Sequence, residues 1–169
     1  DELDEVFGDV EMADSNNQQP ELKGFTPFSP NNTPYDENSR YLAWNAIGKV
    51  IARREPISST VSIDVDFADA RHHRPLRFTD DYHLTMAFVD DSGCVFASDC
   101  ALLYMPTASW SMKVNTVLEV DDGSGERIVS VACNQRFIYC LTNEHLRVIN
   151  TSGCQLSVLP IPGRPLCVT

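Results

Sequence analysis

No stretch of this chain is apolar for the roughly 20 residues that a membrane-spanning helix needs, so nothing in the pattern reads as a bilayer span and no membrane partner is expected. There is no basic-then-apolar leader either. The first residues, Asp1-Glu2-Leu3-Asp4-Glu5, are acidic, which argues against a secretory signal. Cys-x-x-Cys, Gly-x-Ser-x-Gly, a phosphate-cradling glycine loop and His-Glu-x-x-His are all missing. Accordingly no catalytic residue, no metal ligand and no cofactor is assigned, and an enzyme is not expected. Lys and Arg are absent from residues 1–21, which carry eight acids: Asp1, Glu2, Asp4, Glu5, Asp9, Glu11, Asp14 and Glu21. Phosphate-backbone binding needs clustered cations, so any nucleic-acid contact is expected to be indirect or weak.

The net charge of −11 therefore belongs mostly to that segment, since the other residues hold 16 acids against 13 bases. Residues 1–23 read as a solvated, disordered acidic tail or linker. Within it Leu3, Val6 and Phe7 fall at i, i+3 and i+4, on one face of a short helix. An isolated helix of this length is marginal in water, so the functional reading is a docking peptide that folds on a partner's groove.

Residues 24–169 are long enough for one core. The segment 24–39 places Phe25 and Phe28 among Pro27, Pro30 and Pro34, an extended arm held by aromatic contacts rather than by a ladder. After it come short strand patterns and no convincing long helix: 40–45, 48–54, 61–67, 83–89, 93–98, 101–105, 114–120, 127–133, 136–142, 145–150, 154–159 and a last one at 165–169. Arg40–Trp44 and Lys49–Arg53 flank a tight hairpin in which Gly48 supplies a positive φ. Ile63, Val65 and Phe67 alternate with Ser62, Asp64 and Asp66, so the two acids form the solvated face of a half-buried strand rather than a carboxylate pair. The run of turn-separated strands means an all-β protein.

A weak repeat lies over these strands. Leu42–Gly48 lines up with Arg147–Gly153, and Phe88–Cys94 has a similar shape. The best-formed unit is 127–159, four strand patterns in succession, which is the make-up of a β-propeller blade. At about 40–50 residues per blade, residues 24–169 amount to about three, so the chain reads as a piece of a larger ring.

Several residues invite a sharper reading. His72-His73 lies between Arg71 and Arg74 without zinc-ligand spacing, and is expected to be a basic loop. His83 and His145 are expected at strand edges. The six cysteines, without a secretory signal, are expected to be reduced and buried. Trp44, inside a strand, is expected in the core. Trp110, in the polar stretch Thr107–Ser111, is the candidate for an exposed interface anchor.

The order of motifs GFTPFSPNNTP, RYLAWNAIGKVIARR, SIDVDFAD, RPLRFTD and FIYCLTNEHLRVINTSGCQ resembles the middle region of the replisome family of chromosome transmission fidelity, minichromosome loss and SepB proteins. The motif residues are Phe25 and Phe28 of the arm, Trp44, Gly48, Ile63, Asp64, Val65, Phe67, and Leu146, Arg147 and Gly153. The resemblance implies part of the family's second, six-bladed propeller, with residues 1–21 as the linker after a WD-repeat domain. It also implies a nuclear homotrimer that tethers the GINS component of the replicative helicase to DNA polymerase alpha–primase and other clients. The family's C-terminal helical bundle has no counterpart in this chain. The residues alone leave room for another reading, a generic protein-interaction propeller unrelated to replication.

Overall fold

The computed structural model describes Thr33, Asp36 and residues 38–110 and 125–169. Among these residues there is no α-helix. Eleven strands form three antiparallel sheets, each in chain order. Sheet A holds β1 (Ser39–Trp44), β2 (Gly48–Arg54), β3 (Val61–Phe67) and β4 (Leu76–Thr79); sheet B holds β5 (Met86–Asp90), β6 (Gly93–Ala97) and β7 (Leu102–Pro106). Sheet C holds β8 (Ile128–Cys133), β9 (Phe137–Thr142), β10 (His145–Asn150) and β11 (Gln155–Pro160). One 3-10 turn, Thr107–Ser109, follows β7.

Sheet B sits between the other two. Ala87, Val89, Cys94, Phe96, Leu103 and Met105 pack toward sheet A, where they meet Leu42, Val50, Ala52, Ile63, Val65 and Phe67. The alternate residues Met86, Val95, Ala97, Leu102 and Tyr104 pack toward sheet C, against Ile128, Val131, Cys133, Ile138, Cys140 and Ile149. A strand buried on both faces has no polar side, and β6, Gly-Cys-Val-Phe-Ala, is buried at every position. Phe96, fully buried, takes the edge of the Phe78 ring at 5.3 Å between centroids.

The turn between the first two strands of each sheet uses one chemistry. Asn45 Oδ1 accepts from the Ile47 and Gly48 amides, Asp90 Oδ2 from the Ser92 amide, and Asn134 Oδ1 from the Arg136 and Phe137 amides. A short side-chain acceptor that satisfies the turn's own amides is what selects Asn or Asp here. These positions lie 45 and 44 residues apart, which is the real period of the chain. At that period Phe88–Cys94 corresponds to Ala43–Lys49, so its likeness to Leu42–Gly48 lies one residue off the equivalent positions. The likeness of Arg147–Gly153 comes from the same chemistry at the last turn of sheet C, where Asn150 Oδ1 accepts from Ser152 and Cys154 and Gly153 has φ 93°.

Several expectations need correction. Trp44 is 74% exposed, because a bulge between Tyr41 and Ala43 turns both Leu42 and Ala43 inward and leaves Trp44 facing out beside Lys49. Gly48 has no positive φ; it is small because a Cβ there would lie 2.6 Å from the Asp66 carbonyl of β3. β4 was not foreseen, since its four residues are wedged between Pro75 and Asp80. Residues 165–169 form no strand, although the Val168 amide donates to Ser130 Oγ at 3.2 Å on β8. The 83–89 strand starts three residues later than expected, because Asp80 takes the Tyr82 and Leu84 amides and His83 stands at φ 56°. The expected strand at 114–120, together with Leu3, Val6, Phe7, Phe25 and Phe28, lies outside the described residues.

Phe96→Ala empties the layer between sheets A and B, where this fully buried ring meets Phe78. The expected loss is about 3–5 kcal/mol in denaturant unfolding, whereas Ser157→Ala on half-exposed β11 changes stability by less than about 0.5 kcal/mol.

Candidate interaction surface

The face of sheet A that points away from sheet B is charged. Arg53 Nε donates to Asp64 Oδ2 at 2.8 Å, Arg77 Nε lies 3.1 Å from Asp64 Oδ1 without hydrogen-bond alignment, and Lys49 Nζ lies 3.5 Å from Asp66. Asp64 and Asp66 are therefore partners of cations, side by side on one strand, as the alternation of β3 required. At surface exposure such pairs contribute little stability each. At the turn end of this face Trp44 stacks on Tyr41, with ring centroids 5.5 Å apart and planes at 21°. Tyr41 is 39% exposed, so two large aromatics stand together in solvent. Beside them is an open depression of about 450 Å³ lined by Trp44, Asn45, Gly48, Lys49, Asp66, Phe67 and Ala68. Asn45 also ties sheet A to sheet B, its Nδ2 donating to the Val89 carbonyl at 2.7 Å.

Trp110 packs inward. It lies against the cluster shared by sheets A and B, 5.9 Å from the Phe67 ring, and is half-buried. His73 tilts over the same Phe67 at 4.7 Å, while His72 Nδ1 meets Asp69 at 2.7 Å. The hydrogen bond from His72 holds the Asp69 carboxyl below its ordinary value, a local turn contact.

A second polar centre was not visible in the sequence. Glu126, buried before β8, accepts from Thr142 Oγ1 on β9 and from the Arg147 guanidinium on β10 through both carboxylate oxygens. His145 Nδ1 lies 3.2 Å from the same carboxylate. Glu126, Glu144 and His145 together could present three ligand atoms to a metal ion. The guanidinium already neutralises that carboxylate, however, so a cation would have to displace Arg147. The arrangement works as a clasp that holds the approach to β8 onto the next two strands. Burial alone would push the Glu126 carboxyl up; the bonds from Arg147, Thr142 and His145 outweigh it and hold it below its ordinary value of 4.5. Glu126 carries no signal in the sequence, because it follows the Gly- and Ser-rich stretch Asp122-Gly123-Ser124-Gly125 and belongs to no alternating pattern. Arg147 was singled out as a motif residue, and this clasp is its place. Leu146 is half-buried on the face of sheet C turned away from sheet B.

Of the six cysteines only Cys94, Cys133 and Cys140 are buried; Cys100, Cys154 and Cys167 are exposed, contrary to expectation, because they sit in turns or beyond the last strand. Burial pushes the Cys133 and Cys140 thiols up to about 12, and that of Cys94 higher still. Cys133 Sγ lies 3.7 Å from the Gly93 carbonyl, a contact from sheet C to sheet B.

The described residues thus define an all-β protein of stacked antiparallel meanders with a repeated first hairpin. Residues 26–169 match the family described as minichromosome loss protein, Mcl1, middle region, and the chain belongs to that family. It is similar to Protein ENHANCER OF LHP1 1 of Arabidopsis thaliana, 30% identical over 146 residues that cover 80% of this chain and 15% of the relative. It is also similar to Minichromosome loss protein 1 of Schizosaccharomyces pombe, 24% identical over 138 residues, 78% of this chain and 17% of the relative. The chain therefore spans about one-sixth of the length of these relatives.

Two outcomes follow from the polar and thiol chemistry. A thiol reagent at neutral pH should modify three cysteines of the native protein quickly and the other three only on unfolding; six fast thiols would contradict the burial. Glu126→Gln should cost about 1.5–3 kcal/mol at pH 7 by stranding Arg147. Because the folded-state value is depressed, the Glu126 contribution is complete above pH 4.5 and is lost as the pH falls through the folded value. The variant's stability should therefore vary less with pH below 4.5 than that of the parent.

Proposed function

We propose that residues 24–169 are successive sectors of a six-bladed β-propeller, and that residues 1–23 form the acidic linker leading into it. The whole protein is a non-enzymatic scaffold of DNA replication in the nucleus. It works as a homotrimer that links the GINS component of the replicative helicase to DNA polymerase alpha–primase, touching nucleic acid only indirectly. The observation that carries this reading is the burial of sheet B on both faces between two neighbours that repeat its first hairpin at a 44–45-residue spacing. Radially repeated blades need that contact, since one blade cannot bury both its faces alone. Membership of the Mcl1 middle-region family supports the assignment to replication.

Sheet C supports the continuation of the stack. Its face away from sheet B carries the incompletely buried Tyr139, Leu146, Val148 and Leu159 beside Ser157, with Ala132 and Leu141 already buried, a largely apolar surface of the kind that meets another sheet. Scaffolding fits an outer face of sheet A whose charges are already joined in ion pairs, Lys49–Asp66 and Arg53–Asp64.

Light scattering on the full-length protein tests the assembly directly. A trimer mass at micromolar concentration, together with co-purification of GINS, is expected; a monomer that binds neither GINS nor the polymerase would overturn the proposal and leave a generic interaction propeller.

A further inference from the structure

Charge is unevenly placed among the described residues. Residues 38–79, which hold sheet A, carry seven Lys or Arg against four acids, in a chain of net charge −11; residues 80–110 carry five acids and neither Lys nor Arg. The surplus gathers at one edge of sheet A. β4 pairs with β3 and with no other described strand. Arg71 and Arg74, in the loop that feeds it, are exposed, and among the described residues neither guanidinium meets a carboxylate. On β4 itself Arg77 shares the Asp64 carboxylate with Arg53. Two guanidinium groups on one carboxylate leave a positive charge over, and the Arg77 side chain, 70% exposed, presents it to solvent.

We propose that the outer edge of β4 takes up an extended acidic segment of a partner protein as a fifth strand of sheet A, with its carboxylates on Arg74 and Arg77. The backbone is open on that side. The Asp80 amide donates to the Val61 carbonyl at 2.8 Å, which extends the β3–β4 register by one pair. Bonded and non-bonded pairs alternate in an antiparallel ladder, so Leu76 and Phe78 bond to β3 while Arg77 and Thr79 turn their amides and carbonyls to the open edge. A polypeptide can satisfy those groups and a phosphate backbone cannot. The pleat then sorts the occupant's side chains. Those opposite Arg77 and Thr79 point away from sheet B, where an acid meets the guanidinium that Asp64 only half compensates. The one between them points toward sheet B, beside the half-buried Leu76 and Phe78, where an aliphatic group is at home. The occupant is thus a short segment in which acidic and aliphatic residues alternate. Arginine on an edge strand repels the same edge of a second copy, so opposite charge selects a different protein. The proposal goes beyond the replication reading and does not depend on it.

The test measures binding of a fluorescein-labelled peptide that alternates Glu with Val to the 169-residue chain, by fluorescence anisotropy. Arg74→Glu with Arg77→Glu should weaken binding about tenfold or more, because each reversal replaces an attraction with a repulsion. Thr79→Pro removes an amide that faces the open edge, a change an edge strand tolerates, and it should weaken binding while leaving the charge untouched. A peptide of the same composition with its acids gathered in one block should bind less well. No binding of the alternating peptide, or equal binding by the parent and the double reversal, would overturn the proposal. Equal binding by Thr79→Pro or by the block peptide would also overturn it, by reducing the contact to charge alone. Tighter binding of an oligothymidylate of equal charge would overturn it in favour of a nucleic acid. Should either variant fail to fold, hydrogen exchange in the unaltered chain serves instead. The peptide should slow exchange at the Arg77 and Thr79 amides, and unchanged exchange there would contradict the proposal.

Discussion

A sheet with no polar face can exist only between two others, and sheet B is such a sheet. Every residue of β6 is buried, and its alternate side chains belong to different hydrophobic clusters, Cys94 and Phe96 to one and Val95 and Ala97 to the other. Neither cluster could form without the sheet across from it, so the stacking of A, B and C is a condition of folding rather than a later docking of finished units. Polar ties then fix the register between layers: Asn45 to the Val89 carbonyl on one side, and the Ile128 amide to the Asp99 carbonyl, at 2.7 Å, on the other. Directional bonds of this kind set orientation, while the apolar burial supplies most of the stability.

The two outward faces of the stack differ in a way that bears on function. Sheet A ends the described stack in ion pairs, Lys49–Asp66 and Arg53–Asp64–Arg77, which are at ease in water and costly to bury without complementary partners. Sheet C ends it in aliphatic and aromatic side chains that a further layer would cover. Exposed apolar residues also mark β11, where Leu156, Val158 and Leu159 are between 39% and 55% exposed.

Much of the fold was legible because alternation over a half-buried strand is a strong signal. Ile63, Val65 and Phe67 read correctly as inward, and the bounds 48–54, 61–67 and 145–150 match the strands found. What failed did so for physical reasons. The bulge in β1 breaks the period of two, so Trp44 was placed on the wrong face; no residue type announces a bulge of this kind. Gly48 was read through its backbone freedom, whereas the constraint is the approach of β3, which only tertiary structure reveals. The Glu126 clasp joins residues 16 to 21 positions apart across three strands, and single-sequence patterns carry no information at that range. The turn asparagines were in plain view, but their spacing became meaningful only once Asn45, Asp90 and Asn134 were seen to open the same hairpin in three sheets.

The central claim is that the stack does not end at sheet C in the whole protein. It is tested most directly by the labelling rate of a single thiol placed there, Val148→Cys, in full-length protein with Cys100, Cys154 and Cys167 replaced by Ser. A further sheet packed on that face predicts labelling as slow as that of the native buried thiols, rising only on unfolding. Labelling as fast as at an exposed position such as Cys154 in the parent would contradict the account.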